Sequence, residues 1–280
     1  MLLLELFSLQ NRHMKKNKIL ASLHLVVLLA LIFWNYYSNA GAVNNNTVGS
    51  VSDSLDNLFT PAGYAFAIWG IIYLGLLVLG VYMIIRAFKD DRNNEFIEKA
   101  APTLILAHLG NATWLWFWLN EEVGISVIIM LFILFMLTLT VLRLNMQRWD
   151  APLKFIALVW WPIDLYFGWI SVATIANISA YLAKLNWTGG ISEITWTITM
   201  IFVATLLALF MIFARNMREY AAVFIWALIA IAVRHTDQIT SITWSASIAA
   251  VIIGIASALH AFKHRETLPF FRKKAPQTER

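Results

Sequence analysis

The chain has 280 residues, of which 60% are hydrophobic and 13% carry a charge. An ordinary soluble domain is about one-quarter charged, so this composition excludes a soluble globular protein and is typical of a membrane protein with several spans. The lack of cysteine excludes disulfides, thiolate nucleophiles and cysteine-ligated metals, and the net charge of +5 has to be assessed loop by loop.

Apolar stretches long enough to cross a bilayer recur along the chain. A helix rises about 1.5 Å per residue, so roughly 20 apolar residues cross a hydrocarbon layer of roughly 30 Å. The sequence therefore predicts an all-α integral membrane protein with about eight transmembrane helices, although the seventh stretch is short. The stretches are 19–37, 60–86, 101–119, 123–142, 155–182, 194–214, 220–233 and 239–262.

Lysine and arginine collect on one side of this arrangement. If both termini are cytoplasmic, all of the 21 lysines and arginines except Lys184 and Arg234 fall on inner segments. Cytoplasmic loops of membrane proteins carry this excess, so we predict a multi-pass protein with both termini in the cytoplasm. Removing the short seventh span would invert part of the pattern.

The N-terminal region has two interpretations. Met14 precedes a basic run and resembles a natural start, and residues 1–18 would form a cytoplasmic segment before the first span. Alternatively, the span at 19–37 is a signal peptide cleaved near 40–42, which would leave seven spans. We expect the span to be retained.

Two connections are predicted on the outer side. The segment 38–59 contains no lysine or arginine and is long enough to act as a lid over the outer end of the bundle. Between the last two spans, Arg234 and Asp237 are predicted to form a local ion pair at the membrane interface.

The second span gives the first indication of a site. It runs from Thr60 to Arg86, and Pro61 lies where a first-turn proline is tolerated. Trp69 and Tyr73 are four residues apart and therefore share one helix face.

The third span carries polar and aromatic residues. His108 and Asn111 should face protein, because polar groups in hydrocarbon are unfavourable; they would line a site or bond neighbouring helices structurally. Of the tryptophans, we expect Trp116 and Trp118 to anchor the membrane interface, whereas Trp114 remains a candidate for ligand contact.

The fifth span combines Pro162, which should kink the helix, with Asp164 two residues later. An intramembrane carboxylate indicates a functional site with a partner. His108 has a similar predicted depth, so we expect a His108–Asp164 contact as a polar or proton site. The alternative is a neutral Asp164, or one that bonds Tyr166 or freed backbone.

These three spans together resemble the translocator protein family, also called the tryptophan-rich sensory proteins (TspO/MBR). The second span has a Pro-x7-Trp-x3-Tyr spacing, the third an Asn-x-x-Trp, and the fifth a Trp-x3-Ala-Thr-x-x-Asn. The residues that carry the resemblance are Pro61, Trp69, Tyr73, Asn111, Trp114, Trp169, Ala173, Thr174 and Asn177.

The chain departs from the family pattern at several points. Phe66 is shifted by one residue, Pro162 lies about one helical turn further from Trp169, and the loop before Pro61 lacks a tryptophan-containing segment. The resemblance implies a divergent, enlarged member. It would have a five-helix unit at 19–186, three additional helices at 187–262 and a basic cytoplasmic tail at 263–280.

The resemblance implies an outward-opening pocket for a flat apolar ligand, such as a tetrapyrrole or a sterol. It implies no cofactor beyond such a tetrapyrrole ligand, and its partners would be the lipid bilayer and a hydrophobic small molecule, without nucleic acid; a homodimer stays open. The same residues could instead serve interhelical packing. The expected ligand-binding residues are Trp69, Tyr73, Asn111, Trp114, Trp169 and Asn177.

We therefore favour a non-enzymatic membrane protein that binds, transports or senses such a ligand, and we assign no catalytic residue and no metal site. Two alternatives from other classes stay open. One is a membrane-embedded enzyme that uses Asp164 and His108 as an acid–base pair. The other is a proton-coupled secondary transporter of a small solute, with Pro162 at a discontinuous helix and Asp164 as the relay.

Overall fold

The computed structural model describes residues 2–55, 57–89, 94–187 and 189–264, with side chains described from residue 13 onward. All of its regular secondary structure over these ranges is helical. The α-helices are α1 (Leu2–Tyr37), α2 (Val48–Ser54), α3 (Ile68–Phe88), α4 (Glu95–Leu119), α5 (Val123–Arg143), α6 (Leu153–Phe155), α7 (Trp161–Lys184), α8 (Glu193–Arg215), α9 (Arg218–His235) and α10 (Thr240–Lys263).

The eight predicted spans correspond to the eight long helices, and the prediction of an all-α membrane protein is confirmed. Six described helical segments are long and apolar enough to cross a membrane. The other two, α4 and α9, carry charged residues at their ends, but both pack against neighbouring long helices. The six segments are His13–Ala42, Gly63–Phe88, Val123–Arg143, Leu153–Lys184, Glu193–Arg215 and Thr240–Lys263.

The helices form two groups that share one wall. In the first, α1 packs on α3 and α4, α4 on α5, α5 on α7, and α7 on α3, which closes a ring of five helices. In the second, α8, α9 and α10 pack on one another, and α9 also lies along α7. A glycine permits this approach, because a Cβ at Gly168 would lie 2.9 Å from the carbonyl oxygen of Tyr220. A single hydrophobic core runs through both groups.

The fifth span is irregular at the position that the sequence predicts. The chain passes from α6 through a π-helical segment, Ile156–Trp160, and becomes α-helical at Trp161, one residue before Pro162. Proline has no N–H to donate within a helix, which accounts for a break at this point. Gly75 of α3 faces the proline ring, since a Cβ there would lie 3.4 Å from Pro162 Cβ.

The two ends of the bundle differ in charge. We call the end that carries α2 the lid end, and the opposite end, where α1 begins and α10 finishes, the basic end. At the basic end, His13 and Lys16 of α1 both donate to the Glu98 carboxylate of α4. Burial alone would raise the pKa of Glu98, but these two hydrogen bonds outweigh it and hold the pKa below its usual value.

Candidate functional site

A cavity of about 40 Å³ lies near the lid end, enclosed by α2, α3, α4, α5 and α7. Four of the six predicted ligand-binding residues are in its wall, contributed by three different helices. They are Trp69 of α3, Trp114 of α4, and Trp169 and Asn177 of α7. The rest of the lining is Val48, Ser52, Thr60, Pro61, Phe66, Trp118, Met130, Val172, Ala173, Ala176 and Ala180.

Asn177 orients one aromatic face of the cavity. The Trp114 indole Nε1 donates to Asn177 Oδ1 at 2.9 Å, and Asn177 Nδ2 donates to the hydroxyl of Ser126 at 2.9 Å. All three side chains are buried, so these hydrogen bonds are protected from water. The indole of Trp118 stacks on Trp114 with ring centroids 5.4 Å apart. The amide thus holds the ring of Trp114 in one orientation.

A second aromatic group forms another part of the wall. Trp69 stacks on Tyr73 with ring centroids 5.2 Å apart and planes 23° apart, so Tyr73 lies outside the lining and supports Trp69. Trp169 meets Trp69 at 6.4 Å and Phe66 at 6.0 Å, both edge to face. These offset and perpendicular contacts are the favoured arrangements of aromatic pairs.

Asn111 belongs to a separate, polar part of the bundle core. Its Nδ2 donates to the hydroxyl of Tyr166 at 3.2 Å, and the Tyr166 ring stacks on His108 with centroids 5.8 Å apart. His108 Nε2 in turn lies 3.3 Å from Nε2 of His24 on α1. This polar core, formed by His24, His108, Asn111 and Tyr166, joins α1, α4 and α7.

The predicted contact between His108 and Asp164 is wrong. Asp164 is fully buried, but its Oδ2 accepts a hydrogen bond from Gln147 Nε2 at 3.2 Å, and the nearby charged group is Glu219. His108 faces α1 instead, because its side of α4 packs against α1. The two residues were predicted at a similar depth in the membrane, but their side chains point to different neighbouring helices.

The connection between α1 and α3 forms the expected lid through a short helix. Thr47 caps α2: its hydroxyl accepts from Ser50 N at 3.0 Å, and Ser50 Oγ accepts from Thr47 N at 2.8 Å. The helix places Val48 over the cavity, and Trp118 Nε1 donates to the Val48 carbonyl at 3.2 Å. The loop is therefore a structured cover.

Arg234 ties this lid to the second group of helices. Its Nη1 lies 2.6 Å from the Asp53 carboxylate of α2, so the predicted local ion pair with Asp237 is wrong. The adjacent His235 Nε2 lies 2.9 Å from the Leu58 carbonyl oxygen. The end of α9 lies next to the lid, and this brings Arg234 into contact with Asp53, which is distant from it in sequence.

A family model described as TSPO-like protein matches residues 21–259. The chain belongs to the TSPO-like protein family. The match includes α8, α9 and α10, whereas the division into a five-helix unit and three further helices stays a prediction. No curated protein and no solved structure matches the chain.

In this TSPO-like protein, the structure adds residues that the spacing did not identify. Phe66, one residue away from the family position, still lines the cavity. Trp118 is buried in the cavity wall, so its prediction as an interface anchor is wrong, while Trp116 is half exposed, as an anchor would be. The spacing of Trp114 and Trp118, four residues apart on one helix face, was the available signal.

No metal centre is formed by three or more histidine and carboxylate side chains in the described ranges of this TSPO-like protein. The polar core contains only two histidines, and Asp164 and Glu219 belong to a different part of the molecule. The chemistry that the cavity can provide is aromatic stacking, apolar contact and an amide hydrogen bond.

Proposed function

We propose that this TSPO-like membrane protein binds a flat hydrophobic small molecule, of the tetrapyrrole or sterol type, beneath the α2 lid. The observation that carries the proposal is that residues from three helices, which the family resemblance had implied as ligand contacts, line one cavity. Binding would then serve transport or sensing of the ligand.

The lining suits a planar apolar ligand. Binding sites for small molecules are mostly apolar with a few placed polar groups, and here Asn177, Ser52 and Thr60 are polar among alanines, valines and aromatic rings. The faces of Trp69 and Trp114 belong to different helices. A flat ring system that enters the cavity would gain stacking contact with these rings.

The ligand requires the lid to move. Small-molecule pockets usually measure roughly 300–1,000 Å³, whereas this cavity measures about 40 Å³. The α2 helix is the short element of the enclosure, and it contributes Val48 and Ser52 to the wall. Displacing it would enlarge the cavity towards the lid end without repacking the long helices.

Titration of the purified protein with protoporphyrin IX, followed by tryptophan quenching, tests the proposal. Replacing Trp114 with leucine should weaken binding about fivefold, because one stacking face worth roughly 1 kcal/mol is lost. The matched control is Trp116→Leu, which removes one half-exposed tryptophan outside the cavity. Equal affinities of the two variants would reject this cavity as the site, and competition by cholesterol would distinguish the ligand classes.

The two alternative functions differ in their support. The acid–base enzyme required His108 and Asp164 to share a site, and their hydrogen-bond partners are different. Proton-coupled transport remains a second candidate, because Asp164 is a fully buried carboxylate beside an interrupted helix. In the same titration, Asp164→Asn should leave the affinity for protoporphyrin IX unchanged if the cavity alone binds the ligand.

A further inference from the structure

An open groove of about 550 Å³ lies on α8 and α10 towards the basic end, away from the lid and its cavity. One part of the groove is apolar and strongly exposed, with Phe213 and Leu259 each more than 60% accessible. The other part, at the end of α10, carries side chains that can be cationic. The lining residues are Phe213, Ile252, Ile255, Ala256, Leu259, His260, Lys263 and His264.

His260 lies where the apolar and polar parts meet. Its ring packs edge to face on Phe213, with centroids 5.8 Å apart, and lies 4.3 Å from the ring of His264. The side chain is nine-tenths buried, yet its Nδ1 has no hydrogen-bond partner among the described residues. A buried polar atom of this kind needs a partner from water or from a ligand.

Basic residues beside the α8–α9 turn lie towards the same end of the bundle. Arg218 lies within electrostatic range of His260, and Arg215 lies beside Arg148. In the described part of the chain, Arg218 Nη1 and Arg215 Nη2 are buried nitrogens without an acceptor. Glu219 follows Arg218 on α9, and it lies within electrostatic range of Asp164.

We propose that this groove binds an anionic phospholipid. An acyl chain would lie along the apolar wall formed by α8 and α10, and the phosphodiester would bind beside Lys263, His260 and Arg218. Basic pockets at the ends of membrane helices recognise anionic head groups in this way. The unpartnered Nη1 of Arg218, and Nδ1 of His260 when it carries the proton, match the acceptor oxygens of a phosphate. This inference is independent of the function proposed for the cavity.

Native mass spectrometry of the full-length protein in detergent tests the charge requirement. The probes are phosphatidylglycerol and phosphatidylcholine with identical acyl chains. The parent protein should retain phosphatidylglycerol preferentially, and combining Arg218→Gln with Lys263→Gln should reduce its retention about tenfold. The control combines Lys99→Gln with Lys154→Gln, which removes the same charge from the basic end outside the groove.

A second pair of variants tests the groove without altering any charge. Ala256→Phe should fill the groove and reduce phosphatidylglycerol retention, whereas Ile248→Phe, on an exposed part of α10 outside the groove, should not. If the double-charge variant fails to fold, this pair still decides the question. Equal retention of both lipids by the parent, equal retention by the two phenylalanine variants, or displacement of the lipid by inorganic phosphate would each overturn the proposal.

Discussion

At the scale of single residues, the interior of this membrane protein contains a pair of histidines in contact. The hydrogen bond between His24 and His108 requires one ring to donate and the other to accept, so the accepting imidazole is neutral when it forms. Their Nδ1 atoms, the Asn111 Oδ1 and the Tyr73 hydroxyl have no partner among the described residues. The two histidines therefore depend on each other.

This dependence predicts non-additive stability. His24→Leu or His108→Leu alone should destabilise the protein, because the remaining imidazole keeps a buried unpaired nitrogen that costs about 1–3 kcal/mol. The double variant leaves neither nitrogen, so it should lose less stability than the sum of the single variants. Thermal unfolding of the four proteins in one detergent measures the coupling. Additive losses would show that the contact contributes nothing.

At the scale of elements, the α2 lid has little stability of its own. A helix of seven residues is too short to persist alone in water, so α2 depends on its contacts with the bundle. Those contacts are the Trp118 hydrogen bond to Val48, the burial of Val51, and the ion pair between Asp53 and Arg234. The ion pair is the most exposed of the three, and it connects the lid to α9.

Removing this ion pair should therefore accelerate ligand entry. Arg234→Gln should increase the association rate of protoporphyrin IX by up to about fivefold, since an exposed ion pair stabilises by roughly 1 kcal/mol or less. Stopped-flow tryptophan quenching measures this rate. Asp53→Asn should act like Arg234→Gln, and the exchanged pair, Asp53→Arg with Arg234→Asp, should restore the parent rate.

The neighbouring acid provides the control for the lid. Asp237→Asn removes the partner that the sequence alone suggested for Arg234, and it should leave the association rate unchanged. If Asp237→Asn accelerated entry while Asp53→Asn did not, the ion pair seen in the structure would not control the lid.

At the scale of the whole molecule, charge and topology agree. The described helix ends that carry Lys99, Arg143, Arg215, Arg218 and Lys263 all lie at the basic end, whereas the lid end has Lys184 and Arg234. By the positive-inside rule, the basic end and both termini should be cytoplasmic, and the lid should face the outer side.

The lack of cysteine allows a direct test of this orientation. A single introduced cysteine is the only thiol in the chain. With a membrane-impermeant maleimide, Ser54→Cys at the lid end should react in intact cells, whereas Lys89→Cys at the basic end should react only after permeabilisation. Both side chains are exposed. The reverse labelling pattern would invert the predicted topology.

Much of the site could be predicted from the family resemblance, which rests on residue spacings within single helices. The resemblance implied Trp69, Trp114, Trp169 and Asn177, and all four line the cavity. Trp118 was missed because a tryptophan near a span end also fits an interface anchor.

The sequence alone was sufficient for the all-α class, the long helices and the break at Pro162. A membrane requires long apolar segments whose backbone hydrogen bonds are internal, and proline interrupts them, so these features are local. Tertiary structure decided the partners of His108, Asp164 and Arg234. The depth of a side chain in the membrane follows from counting residues along the helix. The direction in which it points depends on how the helix is rotated about its axis and, in the fifth span, on the π-helical segment before Pro162. Packing against neighbouring helices sets that rotation.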